Sequence, residues 1–416
     1  MKVLRLIMSL VLVSIIFTQC KKDSFMNDLP DANLATKSAN TNTPAGSYTV
    51  TVENVSTPYD YFAAGAEFGV TGGDNTPPAN PGETITVHFH AGPNHKLSFA
   101  SMYGASNDMF YAPDDDGISL FSGSTALEGD ITNMISLWDA GTEVNGSGSP
   151  GTPESMPVEM VPSAENNIQV LLDYDDVSMF TLTIHVLPGS ATPLSPVAWV
   201  VHSAGQYPIF KEGTLDYGDG LESLAEIGNP GPLSEYLKMH SGYVSPVAPF
   251  LWVLHDKKDM PIFTEGMAAS SGLQMLAETG DPSGLYNELM TNYETGVQVG
   301  PNTPPIFPGE MLSFTIDGHV GQSISFASML GASNDIFFST GDKGIKLSNG
   351  VSEEDITHLF ELYDAGTEVN EYPGAGIHQG GPVGNGTPEN GVVHLENDGM
   401  SWPDVSQVIK VTIKKN

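Results

Sequence analysis

Two acidic motifs recur in this chain at nearly matching spacing. Asn107-Asp108 is followed by Asp139 and Glu143 within "DAGTE", and Asn334-Asp335 is followed by Asp364 and Glu368 within a second "DAGTE". Carboxylates grouped in this way suit a hard cation such as calcium, which takes about six to eight oxygens from carboxylates, carbonyls and water. The flanking sequence sharpens the expectation. Ile131, Met134, Ile135 and Trp138, and again Ile356, Leu359, Phe360 and Tyr363, follow helical spacing, with Gly141 and Gly366 where a glycine closes a helix. Asp139 and Asp364 are therefore expected in the last turn of a short helix, where an acid is disfavoured by roughly 0.3–1 kcal/mol unless a positive charge answers it. The Asn-Asp loop is expected to approach that helix end and complete the site. A plainer use is also open, because Asn-Asp caps turns and Asp-Ala-Gly-Thr can bond its own backbone.

Other chemistry finds less support. His88 and His90 share a strand face with His95 close by, a conceivable zinc set, but the second copy has Ser313 and Thr315 at the first two positions. His202 and His255 each follow a tryptophan (Trp199, Trp252) by three residues, which reads as a hydrogen-bonded structural histidine beside a packed aromatic. The acidic run Pro113–Ser119 lacks the twelve-residue calcium-loop pattern and reads as a solvated loop. No G-x-S-x-G, HExxH or phosphate-cradling glycine loop occurs.

The elements that must position these acids are duplicated. "LSFASMYGASNDMF" (Leu97–Phe110) matches "ISFASMLGASNDIF" (Ile324–Phe337), "DNTPPANPGETITVHF" (Asp74–Phe89) matches "PNTPPIFPGEMLSFTI" (Pro301–Ile316), and "DVSMFTLTI" (Asp176–Ile184) matches "DVSQVIKVTI" (Asp404–Ile413). Most of these segments alternate and are β-branched, with Pro-Gly turns between them, as in an antiparallel sandwich. A second repeat pairs Ser195–Phe210 with Ser245–Phe263, and "GLESLAEIGNP" (Gly220–Pro230) with "GLQMLAETGDP" (Gly272–Pro282). Leucines three apart, and Asn229-Pro230 or Asp281-Pro282 as helix starts, predict a pair of short helices in each.

Composition bounds the partners. The 416 residues favour two or three domains, and 40% hydrophobic content supports packed cores. Fifteen Lys+Arg against 50 Asp+Glu give a net charge of −35, which disfavours nucleic acid and anionic membrane surfaces. The lone cysteine, Cys20, excludes an internal disulfide. It follows Lys2, Arg5 and the apolar run Leu6–Phe17, a pattern resembling a bacterial lipoprotein signal with Cys20 as the lipidated residue, although Gln19 replaces the usual small residue. Residues Lys21–Gly46 read as a flexible tether.

In order along the chain, "SPVAWVVH", "PIFTEG", "GLQMLAETGDPSGL", "SFASMLGASNDIF" and "LYDAGTEVN" resemble the spondin N-terminal domain family. The resemblance implies a mainly β architecture of two tandem C2-like antiparallel β-sandwich domains, the second with short helical insertions. After the signal over 1–20 and the tether over 21–46, the division it implies is a short copy over 47–188 without the Trp/His helical unit and a full copy over 189–416 with that unit doubled at 195–290. It also implies one calcium per sandwich, held by Asp108, Asp139 and Glu143 in one copy and by Asp335, Asp364 and Glu368 in the other. The expected role is non-catalytic binding or adhesion to a surface glycan or protein by an exported protein, lipid-anchored to the outer membrane or surface of a Gram-negative cell. An envelope hydrolase using the paired carboxylates and a purely structural surface component are the alternatives.

Overall fold

The computed structural model describes residues 45–73, 77–146, 151–162, 167–175, 177–256, 258–292, 298–299, 304–319, 321–347, 353–379 and 386–416. The expected signal, Cys20 and nearly all of the tether lie outside the described residues. Ala45 and Gly46, expected in the tether, instead open the first strand. The chain is mainly β, in several antiparallel sheets. Among the described residues no helix is long and apolar enough to cross a membrane.

The chain divides into two compact units, but not at the expected boundary near residue 188. One is Tyr59–Tyr243, here the inserted unit; the other, the outer unit, joins the residues up to Pro58 with Val244–Asn416. The reason is strand pairing. β1 (Ala45–Asn54) pairs with strands far along the chain, Tyr48 opposite both Ile316 and Lys415, and so belongs to the outer unit.

The inserted unit contains β2 (Ala63–Glu67), β3 (Thr84–His90), β4 (His95–Met102), β5 (Met109–Ala112), β6 (Ser136–Asp139), β7 (Ile168–Tyr174), β8 (Met179–Val186) and β9 (Val197–Ser203), followed by helices α1 (Leu221–Ile227) and α2 (Gly231–Met239). One sheet runs β7-β8-β3 and the other β6-β5-β4-β9-β2, each extended by two-residue strands. Phe89 of β3 meets Trp199 of β9 with ring centroids 5.9 Å apart, so the sheets face each other across an aromatic core. On the opposite face of the larger sheet, Ala198 and Val200 pack with Leu221, Leu224, Leu233 and Leu237 of the helices.

The outer unit repeats this plan with β10 (Leu251–Asp256), α3 (Ser271–Thr279), α4 (Ser283–Asn292), β11 (Met311–His319), β12 (Gln322–Met329), β13 (Ile336–Ser339), β14 (Glu361–Asp364) and β15 (Ile409–Lys415). Its sheets run β11-β1-β15 and β10-β12-β13-β14, bridged by Trp252 stacked on Phe314 at 5.8 Å. Each unit thus owns one Trp/His strand and one helix pair, where the sequence implied that one copy lacked them and the other had two. Both helices start one residue later than expected, at Gly231 and Ser283, with Pro230 rather than Asn229 at the N-cap of α2; Asn229 Oδ1 and Asp281 Oδ1 instead accept from Gly231 N–H at 3.1 Å and Ser283 N–H at 2.9 Å.

The two units have different strand orders along the chain. The Thr132 hydroxyl accepts from Val170 N–H at 2.9 Å, and the Thr357 hydroxyl from Val411 N–H at 2.9 Å, so β15 stands where β7 stands. The middle position of that sheet is held by β8 in the inserted unit and by β1 in the outer unit. The match of Asp176–Ile184 with Asp404–Ile413 therefore joins strands in different places, and the inserted unit carries at its C-terminal end what the outer unit carries at its start.

Candidate functional site

The expected helix before each "DAGTE" does not form. A single 3₁₀ turn, Thr132–Met134 or Thr357–Leu359, leads directly into β6 or β14. Strand pairing decides this, with Ser136–Asp139 opposite Met109–Ala112 and Glu361–Asp364 opposite Ile336–Ser339. Asp139 and Asp364 end strands, so the helix-pole argument for a cation does not apply to them.

The turn after each strand is instead built around the acids. Gly141 N–H donates to Asp139 Oδ1 at 2.8 Å and Asn145 Nδ2 to Asp139 Oδ2 at 2.5 Å. The counterparts are Gly366 N–H to Asp364 Oδ1 at 2.5 Å and Asn370 Nδ2 to Asp364 Oδ2 at 2.7 Å. Gly141 and Gly366 take φ of +68° and +65°, and a Cβ there would collide with the backbone of Met156 or Val392. Only glycine adopts this conformation and tolerates this approach without strain.

The Asn-Asp loop does reach this turn, as expected. Asp108 Oδ2 accepts Thr142 and Glu143 N–H at 3.0 Å each, and Asp335 Oδ2 accepts Thr367 N–H at 2.9 Å and Glu368 N–H at 3.0 Å. Asn107 clamps the same loop through Val144 O and Gly146 N–H, as Asn334 does through Val369 O and Glu371 N–H. Glu143 and Glu368 each spend one oxygen on a glycine N–H, from Gly151 at 2.6 Å and Gly386 at 2.7 Å. All six predicted acids are thereby gathered, three per unit, at the end of the larger sheet.

What the turns leave over is informative. Asp108 and Asp335 are fully buried, and Glu143 is 3% exposed. Yet Asp108 Oδ1, Glu143 Oε2 and Thr142 Oγ1 in one unit, and Asp335 Oδ1 in the other, are buried without a hydrogen-bond partner. A buried ionised oxygen without a partner is costly. Burial raises the Asp108 carboxyl above its ordinary value, against the pull of the Glu143 N–H, with the Asp139 charge adding to the rise. Burial, with Asp364 beside it, pushes Asp335 up to about 7, and burial raises Asp364 too.

The donors are all oxygen, which fits a hard cation. Among the described residues no three Asp, Glu, His or Cys side chains stand as a ready-made metal cluster. The fit is therefore of carboxylate oxygens completed by neutral oxygens, rather than of three converging carboxylates.

Two further acids escaped the sequence reading. Glu396 approaches Asn370 Nδ2 at 3.4 Å, and burial, then Asp398 and Asp364, raise it to about 7. It had no repeat signal, because Val161 fills the matching place: Glu396 N–H bonds Leu362 O as Val161 N–H bonds Leu137 O. Glu226, near Thr142 and Glu143, carried a readable signal, an acid in the last turn of a predicted helix.

The histidines are structural. His202 Nε2 meets Ser98 Oγ at 2.9 Å and its Nδ1 meets Ser203 O; His255 repeats this with Ser325 Oγ and Asp256 O. Both are fully buried. His88 and His90 bond Thr181 and Ser178 instead of joining His95 in a zinc set. In the acidic run, Asp116 pairs with Lys96 at 2.6 Å.

Compared with protein-family models and with curated proteins, the chain matches none.

Proposed function

We propose that the protein is a non-catalytic binding protein whose two sandwich units are each stabilised by a calcium ion. One observation carries the reading: the same turn, built twice, buries an aspartate carboxylate with one oxygen held by two backbone N–H groups and the other left without a partner. Asp108 would hold the ion in the inserted unit through its unpartnered Oδ1, with neutral oxygens completing the shell and Asp139 and Glu143 adding negative charge in the same turn; Asp335, with Asp364 and Glu368, would do so in the outer unit. The ion would supply positive charge to carboxylates that burial and mutual repulsion otherwise disfavour. The chain's own part is to fix the turn: Asn107 and Asn334 clamp its far side, and Gly141 and Gly366 let it close. Binding to the folded state alone raises stability by mass action, as RT ln(1 + [L]/Kd).

The spondin-type resemblance of the motifs, the lipoprotein-like leader ending at Cys20 and the net charge of −35 support an exported, lipid-anchored protein at the cell surface. A surface glycan or protein is then the partner, rather than nucleic acid. Thermal melts of the full chain in calcium and in EDTA test the reading. A rise in both transitions with calcium is expected, and unchanged melting would refute it.

A further inference from the structure

The smaller sheet of the inserted unit carries a cleft at its edge that the acid turns do not use. There Gly129-Asp130 pairs with Leu172-Leu171 of β7, and the 3₁₀ turn Thr132–Met134 follows. The cleft has a volume of ≈ 540 Å³ and is lined by Asp130, Thr132, Asn133, Ile168, Gln169 and Leu187. Sites for small ligands typically span about 300–1,000 Å³ and combine apolar walls with a few placed polar groups.

The polar groups here are oriented, and they have capacity to spare. Asp130 is exposed, yet its Oδ1 accepts Thr132 N–H at 3.0 Å and its Oδ2 accepts from Gln169 Nε2 at 3.0 Å. The bonds from Gln169 and Thr132 hold this carboxyl below its ordinary range, so it is ionised at neutral pH. Each of its oxygens keeps a free lone pair. The bond to Asp130 turns the Gln169 amide and leaves its Oε1 as an acceptor. Asn133 is exposed, and its amide makes no hydrogen bond among the described residues. Ile168 is buried and Leu187 half-buried, which sets aliphatic surface beside these groups.

This set favours one class of ligand. Amides offer donors and acceptors together and a fixed carboxylate accepts, which matches hydroxyl groups that both donate and accept. A sugar ring presents such hydroxyls around its rim and C–H groups on its face, the latter suited to Ile168 and Leu187. No Lys, Arg or His lines the cleft, and an ionised Asp130 in a chain of net charge −35 disfavours phosphate, sulfate or uronate groups. The outer unit is an internal control. Val411 stands where Val170 stands, so Lys410 takes the place of Gln169, and His358 takes that of Asn133 in the 3₁₀ turn. Asp355 Oδ1 still accepts Thr357 N–H at 2.9 Å. The turn is therefore built without either amide, and its structure does not explain why the inserted unit has them.

We infer that this cleft binds a neutral glycan, with Asp130, Asn133 and Gln169 hydrogen-bonding the hydroxyls of one sugar ring and Ile168 and Leu187 packing against its C–H face. This deepens the reading of the protein as a surface binding protein and rests on that part of it. It does not rest on calcium, because none of Asp108, Asp139 and Glu143 lines the cleft.

Titration calorimetry on the full chain in calcium buffer tests it, with maltohexaose, cellohexaose, laminarihexaose and mannohexaose as probes. Wild type is expected to bind at least one of them with a micromolar to millimolar Kd. Asn133→Ala and Gln169→Ala should each weaken that binding about three- to tenfold, the loss of a hydrogen bond to a neutral ligand, and Asp130→Asn should weaken it further. Lys410→Ala, in the outer unit, should leave it unchanged. Asn133 is exposed and bonded to nothing, so Asn133→Ala should melt with wild type, and its weaker binding then reports the cleft rather than the fold. A wild-type chain that binds none of the four sugars would overturn the inference, as would a heparin hexasaccharide that binds more tightly than all of them. Sugar binding left intact in Asn133→Ala and Gln169→Ala would overturn the cleft as the site and leave glycan binding standing. The melts in calcium and EDTA decide the calcium reading separately.

Discussion

Replacing Asp335 by Asn should stabilise the cation-free protein, an unusual outcome for a fully buried residue that accepts three hydrogen bonds. Thr367 N–H, Thr367 Oγ1 and Glu368 N–H all donate to Asp335 Oδ2, at 2.9, 3.1 and 3.0 Å, while Oδ1 has no partner. Burial and the neighbouring Asp364 push the carboxyl from 3.8 up to about 7. The folded state therefore holds this proton more tightly than the unfolded chain. Its stabilising contribution is complete below about pH 4 and is lost as the pH rises through about 7. At pH 8 the ionised group costs on the order of 4 kcal/mol in the absence of a cation. An asparagine can present Oδ1 to the same three donors, and an Nδ2 buried where Asp335 Oδ1 has no partner gives back about 1–3 kcal/mol if it stays unpaired. The net gain of about 1–3 kcal/mol corresponds to a rise of roughly 2–12 °C for a unit of this size. Scanning calorimetry in EDTA at pH 8 reads it directly, and the advantage should fade by pH 4. In calcium the order should reverse, because wild type gains a bound ion at this site and Asp335→Asn does not. A variant that melts below wild type in EDTA, or whose outer-unit transition still climbs with calcium, would refute the reasoning.

Three other outcomes follow from the same contacts. Burial pushes His95 and His202 down to about 4, so the stability they contribute is complete above about pH 6.5 and is lost as the pH falls toward 4, by roughly 3 kcal/mol for His202; urea denaturation at pH 7 and pH 5 should show the loss, and His202→Gln should reduce it. Gly141→Ala and Gly366→Ala place a Cβ at positive φ against backbone and should each cost more than about 1 kcal/mol, with calcium affinity falling in the altered unit only; calorimetric titration checks both. The segment Tyr59–Tyr243, which contains both of its sheets and its helix pair, should fold when expressed alone and give a single cooperative melt followed by circular dichroism.

Much of this architecture is legible in the residues. The alternation in Thr84–His90 and Phe180–Val186 gave strands, the Leu221/Leu224 and Leu273/Leu276 spacing gave helices, and the "ND" and "DAGTE" repeats identified acids that do share one loop end in each unit. Two features were hidden for physical reasons. Ile131, Met134, Ile135 and Trp138 fit a helical period, yet a 3₁₀ turn followed by a strand satisfies the same short pattern, and pairing of Trp138 with Phe110 settles it. The order of strands is non-local: β1 opens the outer unit and β8 comes late in the inserted unit, ahead of β9 and the helices, yet both hold the same sheet position, while the "DVS" likeness links strands that hold different ones.

The most direct measurement is calcium stoichiometry by equilibrium dialysis, on wild type and on the Asp108→Asn/Asp335→Asn double variant. Two ions per wild-type chain, and none retained by the double variant at the same free calcium, are expected. A wild-type chain that retains no calcium, or a double variant that retains both ions, would contradict the claim that these two buried carboxylates exist to meet a cation.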